Sequence, residues 1–230
     1  MRHVFGKTIV IALGGSIMYP DSIDHEFLKA WKGFVTYFVK RGYQLVIVTG
    51  GGRSSRLYQE AASKITKVSD EDKDWIGIHA TRTNAHLLRT VLSEYADPVV
   101  IDERKKLKKL KYPVTIASGW RPGWSTDYIA VALAEDFKAS EVVIAGKPSH
   151  VYDKDHALHA DAKPFDALTW KKYRTLIPKE WKPGAHAPVD PVAARLAEKK
   201  GIQAIIINGK DLMNFKNLLL GKEFLGTVIE

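Results

Sequence analysis

Cysteine is absent from all 230 residues. Disulfides, cysteine-ligated metals and thiol nucleophiles are therefore excluded, and the absence fits a cytoplasmic protein. Long hydrophobic runs are also missing, since none approaches the ~20 residues that span a bilayer, so no membrane association is expected. Thr8–Leu13 follows a basic start but is short for a signal segment and lacks a convincing cleavage site. It reads as a buried strand instead. Two familiar phosphate signatures are missing as well. No Gly-Lys-Ser/Thr completes a Walker A loop after Gly50-Gly51-Gly52, and that run is not a Gly-x-Gly-x-x-Gly fingerprint. His150, His156 and His159 stand near Asp153, Asp155 and Asp161, but their spacing matches no standard zinc pattern, and a polar surface loop explains them equally well. No protein-only metal site is assigned.

Acidic charge is in deficit, with 35 Lys and Arg against 26 Asp and Glu. The excess is local. Glu103–Lys111 holds six bases and one acid and so supplies +5 of the formal +9. A nucleic-acid binder spreads its basic charge more widely, which argues against a polynucleotide partner. Leu107 and Leu110 at helical spacing suggest a short surface helix with a solvated basic face.

What the chain does have is glycine directly after strands. Thr8–Leu13 runs into Gly14-Gly15-Ser16. Gln44–Thr49 runs into Gly50-Gly51-Gly52, followed by Arg53 and Arg56. Tyr112–Ala117 runs into Ser118-Gly119-Trp120-Arg121-Pro122-Gly123-Trp124-Ser125-Thr126-Asp127. Any of the last three residues can cap the helix that begins near Tyr128. Glycine lets backbone amides approach a ligand closely, and the first amides of a helix favour an anion. Arg56, Arg121 and Lys147 near these turns could hold a polyphosphate. Trp120 and Trp124 add flat faces on which a base could stack. The residues alone point to a kinase or a phosphate-ester binder.

Strands and helices alternate along the chain. A helix is expected over Asp24–Arg41, capped by Asp21 or Ser22. Lys64–Lys73 reads as a polar loop, Glu71–Tyr95 as a long helix, and Pro98–Ile101 as a further strand. Glu141–Ala145 is a strand ending in Gly146-Lys147-Pro148-Ser149-His150, and His156–Pro188 reads as irregular but for one short helix around Trp170–Leu176. Asp190-Pro191 opens a helix closed by Gly201. Ile202–Ile207 is a strand, Leu212–Leu219 a helix, and Gly226–Ile229 a final edge strand. The expected architecture is α/β, a mostly parallel central sheet covered by helices on both faces. At 230 residues it reads as one large domain or two lobes.

These motifs, in this order, resemble the amino-acid-kinase superfamily, most closely the archaeal-type uridylate kinases. The resemblance rests on Gly14-Gly15-Ser16, Gly50-Gly51-Gly52 with Arg56, Asp74–Ile78, Ala80–Ala85, Pro122-Gly123-x-Ser125-Thr126-Asp127, Val151–Asp155, Val189-Asp190-Pro191-x-Ala193-Ala194, and Gly226-Thr227. It covers nearly the whole chain. It implies a three-layer sandwich forming a single domain, with an acceptor-binding lobe over about 1–138 and an ATP-binding lobe over about 139–230. The implied activity is ATP- and Mg²⁺-dependent phosphorylation of UMP to UDP, hence a place in pyrimidine biosynthesis. It also implies that Gly14, Gly15, Ser16 and Gly52 surround the transferring phosphates, with Arg56 and Lys147 as cations beside them. Gly51, Asp74 and the loop Gly119, Trp120, Arg121, Pro122, Gly123, Trp124, Ser125 would hold the nucleoside monophosphate. Asp127 would organise the catalytic centre with Arg56 and Gly15, and Tyr152 and Asp155 would flank ATP. It further implies a homo-oligomer, a dimer or hexamer, formed through the helix that carries Arg82 and Asn84.

The chain departs from the family pattern at three places. Ala12 stands where many members have lysine, which leaves Lys7, Arg56 or Arg121 to neutralise charge. Trp120, Arg121 and Trp124 replace smaller residues or histidine in the acceptor loop. Gly146-Lys147-Pro148-Ser149-His150 replaces Thr-Asn-Val-Asp-Gly. A catalytically silent nucleotide-binding or regulatory homologue, or a kinase for a different small acceptor, therefore stays open beside the uridylate reading.

Overall fold

A computed structural model describes residues 2–180 and 187–230. The first half of the chain supplies β1 (Thr8–Leu13), the single turn α1 (Gly15–Met18), α2 (His25–Val39) and β2 (Gln44–Thr49). Then come α3 (Gly52–Ile65), α4 (Asp70–Val91), β3 (Val114–Ala117) and α5 (Thr126–Phe137). The second half supplies β4 (Glu141–Gly146), the short strands β5 (Val151–Tyr152), β6 (Pro164–Phe165) and β7 (Ala167–Leu168), and α6 (Trp170–Tyr173). It ends with α7 (Pro191–Lys200), β8 (Gln203–Asn208), α8 (Leu212–Leu219) and β9 (Thr227–Ile229).

One seven-stranded sheet runs through both halves in the order β3-β2-β1-β4-β8-β9-β7. All neighbours are parallel except β8 and β9. The register decides what happens at its carboxyl edge. Leu13 pairs with Thr49 on one side and Ala145 on the other. Gly14, Gly50 and Gly146 therefore leave the sheet level with one another. Val48 pairs with Ala117, which brings Ser118 and Gly119 to the same edge. Such an edge is where open parallel sheets bind ligands.

Alternation along each strand divides the core into two layers. Ile9, Ile11, Leu13, Leu45 and Ile47 pack with α2, α4 and α8. Val10, Ala12, Val46 and Val48 pack with α5, α6 and α7. The first layer centres on Trp31, fully buried, stacked on Phe34 at 5.0 Å and against Phe215 at 5.7 Å. The helix-covered, mostly parallel sheet expected from the alternating pattern is thus present, and with it the three layers that the resemblance implies.

Several local expectations need correction. Asp24, not Asp21 or Ser22, caps α2, because only its carboxylate reaches the Phe27 amide, at 2.9 Å. Pro98–Ile101 is not a strand. It touches the sheet edge through isolated bridges at Ala96 and Ile101 only. The basic segment 103–111 is irregular rather than helical. Lys105 takes a left-handed φ of 66°, and Leu107 and Leu110 instead anchor the segment on the second core layer. β9 is not an edge strand, since β7 pairs outside it. The stretch His156–Pro188 holds the expected short helix as α6 but also the strands β6 and β7, while residues 181–186 lie outside the described residues.

Removing the keystone of the first layer tests this packing. Trp31→Ala is expected to lower the unfolding free energy by about 3–5 kcal/mol, read from the urea midpoint at unchanged slope.

Candidate active site

The first two glycine turns are pressed backbone to backbone. Gly14 donates its N–H to Ala145 O at 2.9 Å and Gly50 donates to Leu13 O at 3.0 Å, extending the ladder past the strand ends. A Cβ on Gly15 would lie 2.1 Å from Gly52 N and 2.5 Å from Gly50 C, and one on Gly50 would lie 2.4 Å from Gly15 N. Only glycine fits. Gly52 takes φ +68° and opens α3, which carries Arg56 one turn in. Asn84 of α4 donates its amide N–H groups to Gly50 O at 2.8 Å and Gly51 O at 3.1 Å.

The third turn hangs from α4. Gly119 donates its N–H to Thr81 Oγ1 at 2.7 Å, and Gly123 donates to Asp74 Oδ2 at 2.9 Å. Ser125 then caps α5, accepting from Tyr128 N at 3.0 Å, while its hydroxyl donates to Asp190 Oδ2. The other Asp190 oxygen accepts from Val192 N at 2.7 Å and Ala193 N at 3.1 Å and so caps α7. The N-termini of α5 and α7 therefore converge on one buried carboxylate.

Two cavities open between these elements. One, of about 370 Å³, is lined by Gly51, Gly52, Asp74, Gly119, Arg121 and Trp124. The other, of about 520 Å³, is lined by Ala12, Gly14, Ser16, Gly146, Lys147 and Pro148. Arg56, Thr126, Asp127 and Ala187 line both. The two spaces thus meet at one guanidinium and one carboxylate. Burial, and then the nearby Asp190 carboxylate, push Asp127 up to about 8. Asp74 is raised in the same direction by burial, opposed by its bond from Gly123 N–H.

Of the residues singled out in the sequence, the structure gathers Gly14, Ser16, Gly51, Gly52, Arg56, Asp74, Gly119, Arg121, Trp124, Ser125, Asp127 and Lys147 around the two cavities. Gly15 sits just behind them as the contact between turns. Trp120 is not available to stack on a base. Its indole is 5% exposed, packs in the second core layer and donates to Ile101 O at 3.3 Å. Pro122 and Gly123 lie outside the cavity lining. So do Tyr152, which stacks on His156 at 4.5 Å, and Asp155, which accepts from Ala157 N. Lys7 stands just before β1, roughly 20 Å from the glycine turn at the far end of that six-residue strand, and cannot replace the missing lysine. Asn84 faces inward to the glycine turn rather than outward to a partner. Sequence reasoning missed Thr81 and the part played by Asp190 in the cleft. The Asp-Pro signature marked Asp190 as a helix cap, but nothing local showed that the cap also meets Ser125 and Asp127.

A parallel sheet with paired cavities at its carboxyl edge, joined at an arginine and a carboxylate, is the architecture of an α/β phosphotransferase. The chain belongs to the amino acid kinase family, whose model matches residues 7–208. It is similar to a uridylate kinase of Methanocorpusculum labreanum, with 35% identity over 96% of this chain and 94% of the relative. It is 34% identical to a uridylate kinase of Thermococcus kodakarensis over 96% of this chain and 99% of the relative. Among solved structures, uridylate kinase from Archaeoglobus fulgidus superposes with a TM-score of 0.83 at 28% identity, covering 98% of this chain and all of that one.

The raised Asp127 has a measurable consequence in the ligand-free protein. Between pH 4 and 8 the native state keeps a proton that the unfolded chain has released, so this group lowers stability progressively as pH rises. Asp127→Asn removes that loss. The variant is expected to be more stable than the unmutated protein at pH 8 by roughly 1–3 kcal/mol, and to show little difference near pH 4. Urea unfolding at both pH values reads this directly.

Proposed function

We propose that this chain is a nucleoside monophosphate kinase of uridylate type, transferring the γ-phosphate of ATP to UMP. The observation that carries the reading is the meeting of the two cavities at Arg56 and Asp127. Two ligands seated there lie phosphate to phosphate. The cavity beside Asp74, Gly119 and Trp124 takes the monophosphate, and the cavity beside Ser16, Gly146 and Lys147 takes ATP. Charge and size fit this division. The glycine turns bring backbone close to the ligand, while Arg56 and Lys147 supply full positive charges.

In the reaction a phosphate oxygen of UMP forms a bond to the γ-phosphorus, and the bond from that phosphorus to the bridging oxygen of ADP breaks. Little covalent work falls to the protein, and positioning with charge neutralisation dominates. Arg56 reaches the junction from α3 and faces both phosphates, which suits a guanidinium spanning the transferring group. It takes over part of the charge compensation that a lysine at Ala12 would give. Asp127 is partly buried, faces Asp190, and is held in its neutral form by that environment until a cation arrives. Its hard oxygens at the junction fit Mg²⁺, which keeps most of its ligands as water and phosphate oxygens. Mg²⁺ bound with ATP neutralises charge on the β- and γ-phosphates. Asp127 and Ser16 are the side chains placed to hold that complex.

A different acceptor is favoured by one observation. Arg121 stands at the mouth of the acceptor cavity with its guanidinium 4.1 Å over the Trp124 ring, and it has no ion-pair partner among the described residues. A panel of monophosphates separates the readings. UMP with ATP and Mg²⁺ is expected to give UDP and ADP at a kcat/KM at least tenfold above CMP, AMP and GMP. Asp127→Asn is expected to lower kcat 10²–10³-fold. No turnover with any monophosphate would sink the kinase assignment, while preference for another acceptor would sink only UMP.

The working form is a homo-oligomer in the cytoplasm. Helix α3 buries no residue within the monomer, although it carries Arg56. Tyr58, Ile65 and Trp75 are 68%, 86% and 39% exposed, beside a groove of about 750 Å³ floored by Ala61, Ala62 and Ala80. Large side chains next to small ones on one face suit a two-fold contact, in which each copy fills the other's groove. Such a dimer is also the building unit of a hexamer. Ile65→Asp is expected to shift the mass seen by light scattering toward the monomer, and an unchanged mass would rule out this face.

A further inference from the structure

We infer that Asn84 is a positioning residue that sets which way the peptide units of the second glycine turn face, and thereby whether their amides can reach a phosphate. The inference rests on reading the cleft as a pair of nucleotide sites. Asn84 is 5% exposed, on the inner face of α4, and its single amide nitrogen serves two consecutive carbonyls, Gly50 O at 2.8 Å and Gly51 O at 3.1 Å. Both hydrogens of the NH₂ group are used. In a trans peptide the N–H points opposite to the C=O. Turning the Gly50 and Gly51 carbonyls toward α4 therefore turns the Gly51 and Gly52 N–H groups away from it. Gly51 and Gly52 both line the acceptor cavity. Gly51 O is also held by Ser54 Oγ at 2.8 Å, at the start of α3, so the unit that depends on Asn84 is the one between Gly50 and Gly51. Between two glycines that unit has little intrinsic preference for either orientation, and flipped it would present a carbonyl oxygen to the anion.

Thr81, one turn earlier on the same face, holds the third turn by a different bond. Its Oγ1 accepts from Gly119 N at 2.7 Å and donates to Ile78 O at 2.6 Å. The Gly119 amide is thus already occupied. Its contribution to the acceptor site is lack of bulk, since a Cβ there would lie 2.9 Å from Thr81 Oγ1. Thr49 closes the bracket, donating from Oγ1 to Thr81 O at 3.0 Å. One helix therefore orients the turns on both β2 and β3.

The test pairs Asn84→Ala with Leu88→Ala. Leu88 is fully buried one turn further along α4, is apolar, and belongs to the first core layer. Two readouts are taken per folded molecule: kcat with ATP and UMP, and the dissociation constant for inorganic tripolyphosphate by calorimetry. Asn84→Ala is expected to lower kcat 10–100-fold and weaken tripolyphosphate about tenfold, while Leu88→Ala lowers the Tm but leaves both readouts within twofold. Asn84→Asp, the same shape with the donor replaced by an acceptor, is expected to match or exceed the alanine variant, and it serves if Asn84→Ala does not fold. Retention of both readouts within twofold by the Asn84 variants overturns the inference, as does an equal loss in Leu88→Ala. If the unmutated protein binds tripolyphosphate but phosphorylates no monophosphate, the kinase reading fails separately, and the affinity ratio alone decides the role of Asn84.

Discussion

Gly15 and the Gly50–Gly52 run touch main chain to main chain, with no room for a single side-chain carbon between them. That contact is possible because β1 and β2 are adjacent, parallel and in a register that ends both strands at the same level. It brings two sets of backbone amides within reach of one small anion. Everything charged in the cleft is arranged around it. α3 starts from Gly52 and delivers Arg56, and β4 ends level with Gly14 and delivers Gly146 and Lys147. A slip of one residue in either strand would turn the core faces over and move one turn out of line. The hydrophobic alternation that builds two core layers is therefore also what aligns the site.

Positive charge in the cleft is sparse. Ala12 lines the second cavity, Lys7 is a whole strand away, and Arg56 is the cation that lines both cavities. The negative side is concentrated instead. Asp127 and Asp190 share the space between the N-termini of α5 and α7, and Asp190 is committed to capping and to Ser125. Asp127 is left as the carboxylate with a free approach to both cavities. Its upward shift comes from burial and from the Asp190 carboxylate beside it.

The sequence made legible whatever was local and periodic. Leu212–Leu219 and the Asp190-Pro191 helix start agree with the structure because apolar spacing and capping are nearest-neighbour effects. The glycine turns were legible because each follows a buried strand directly. Side-chain direction within a loop was not. Trp120 and Trp124 look alike in sequence, yet one indole is sealed in the core and the other lines the cavity under Arg121. The basic segment imitated a helix because its two leucines are three residues apart. In the fold that spacing serves an irregular strap whose leucines point into the core and whose Arg104 pairs with Glu135 and Asp136. Asn84 was ambiguous for the same reason. A polar residue on an apolar helix face declares that it has a partner, but the partner here lies 33 and 34 residues away.

Helix α4 links these features mechanically. Its inner face holds the glycine turns through Thr81 and Asn84, and Asp74 near its start tethers the acceptor loop at Gly123. Its outer face forms the floor on which α3 lies. α3 is tied at its start by Arg53 N–H to Tyr19 O at 3.0 Å and along its length by Gln59, whose amide donates to Lys73 O at 2.8 Å, yet it buries no residue within one copy of the chain. A second copy seated over Ile65, Tyr58 and Trp75 would press α3 onto α4. Assembly and phosphate handling would then be coupled through a rigid element rather than through any contact between subunits and substrate. On this argument the long exposed helix is not a defect of the monomer.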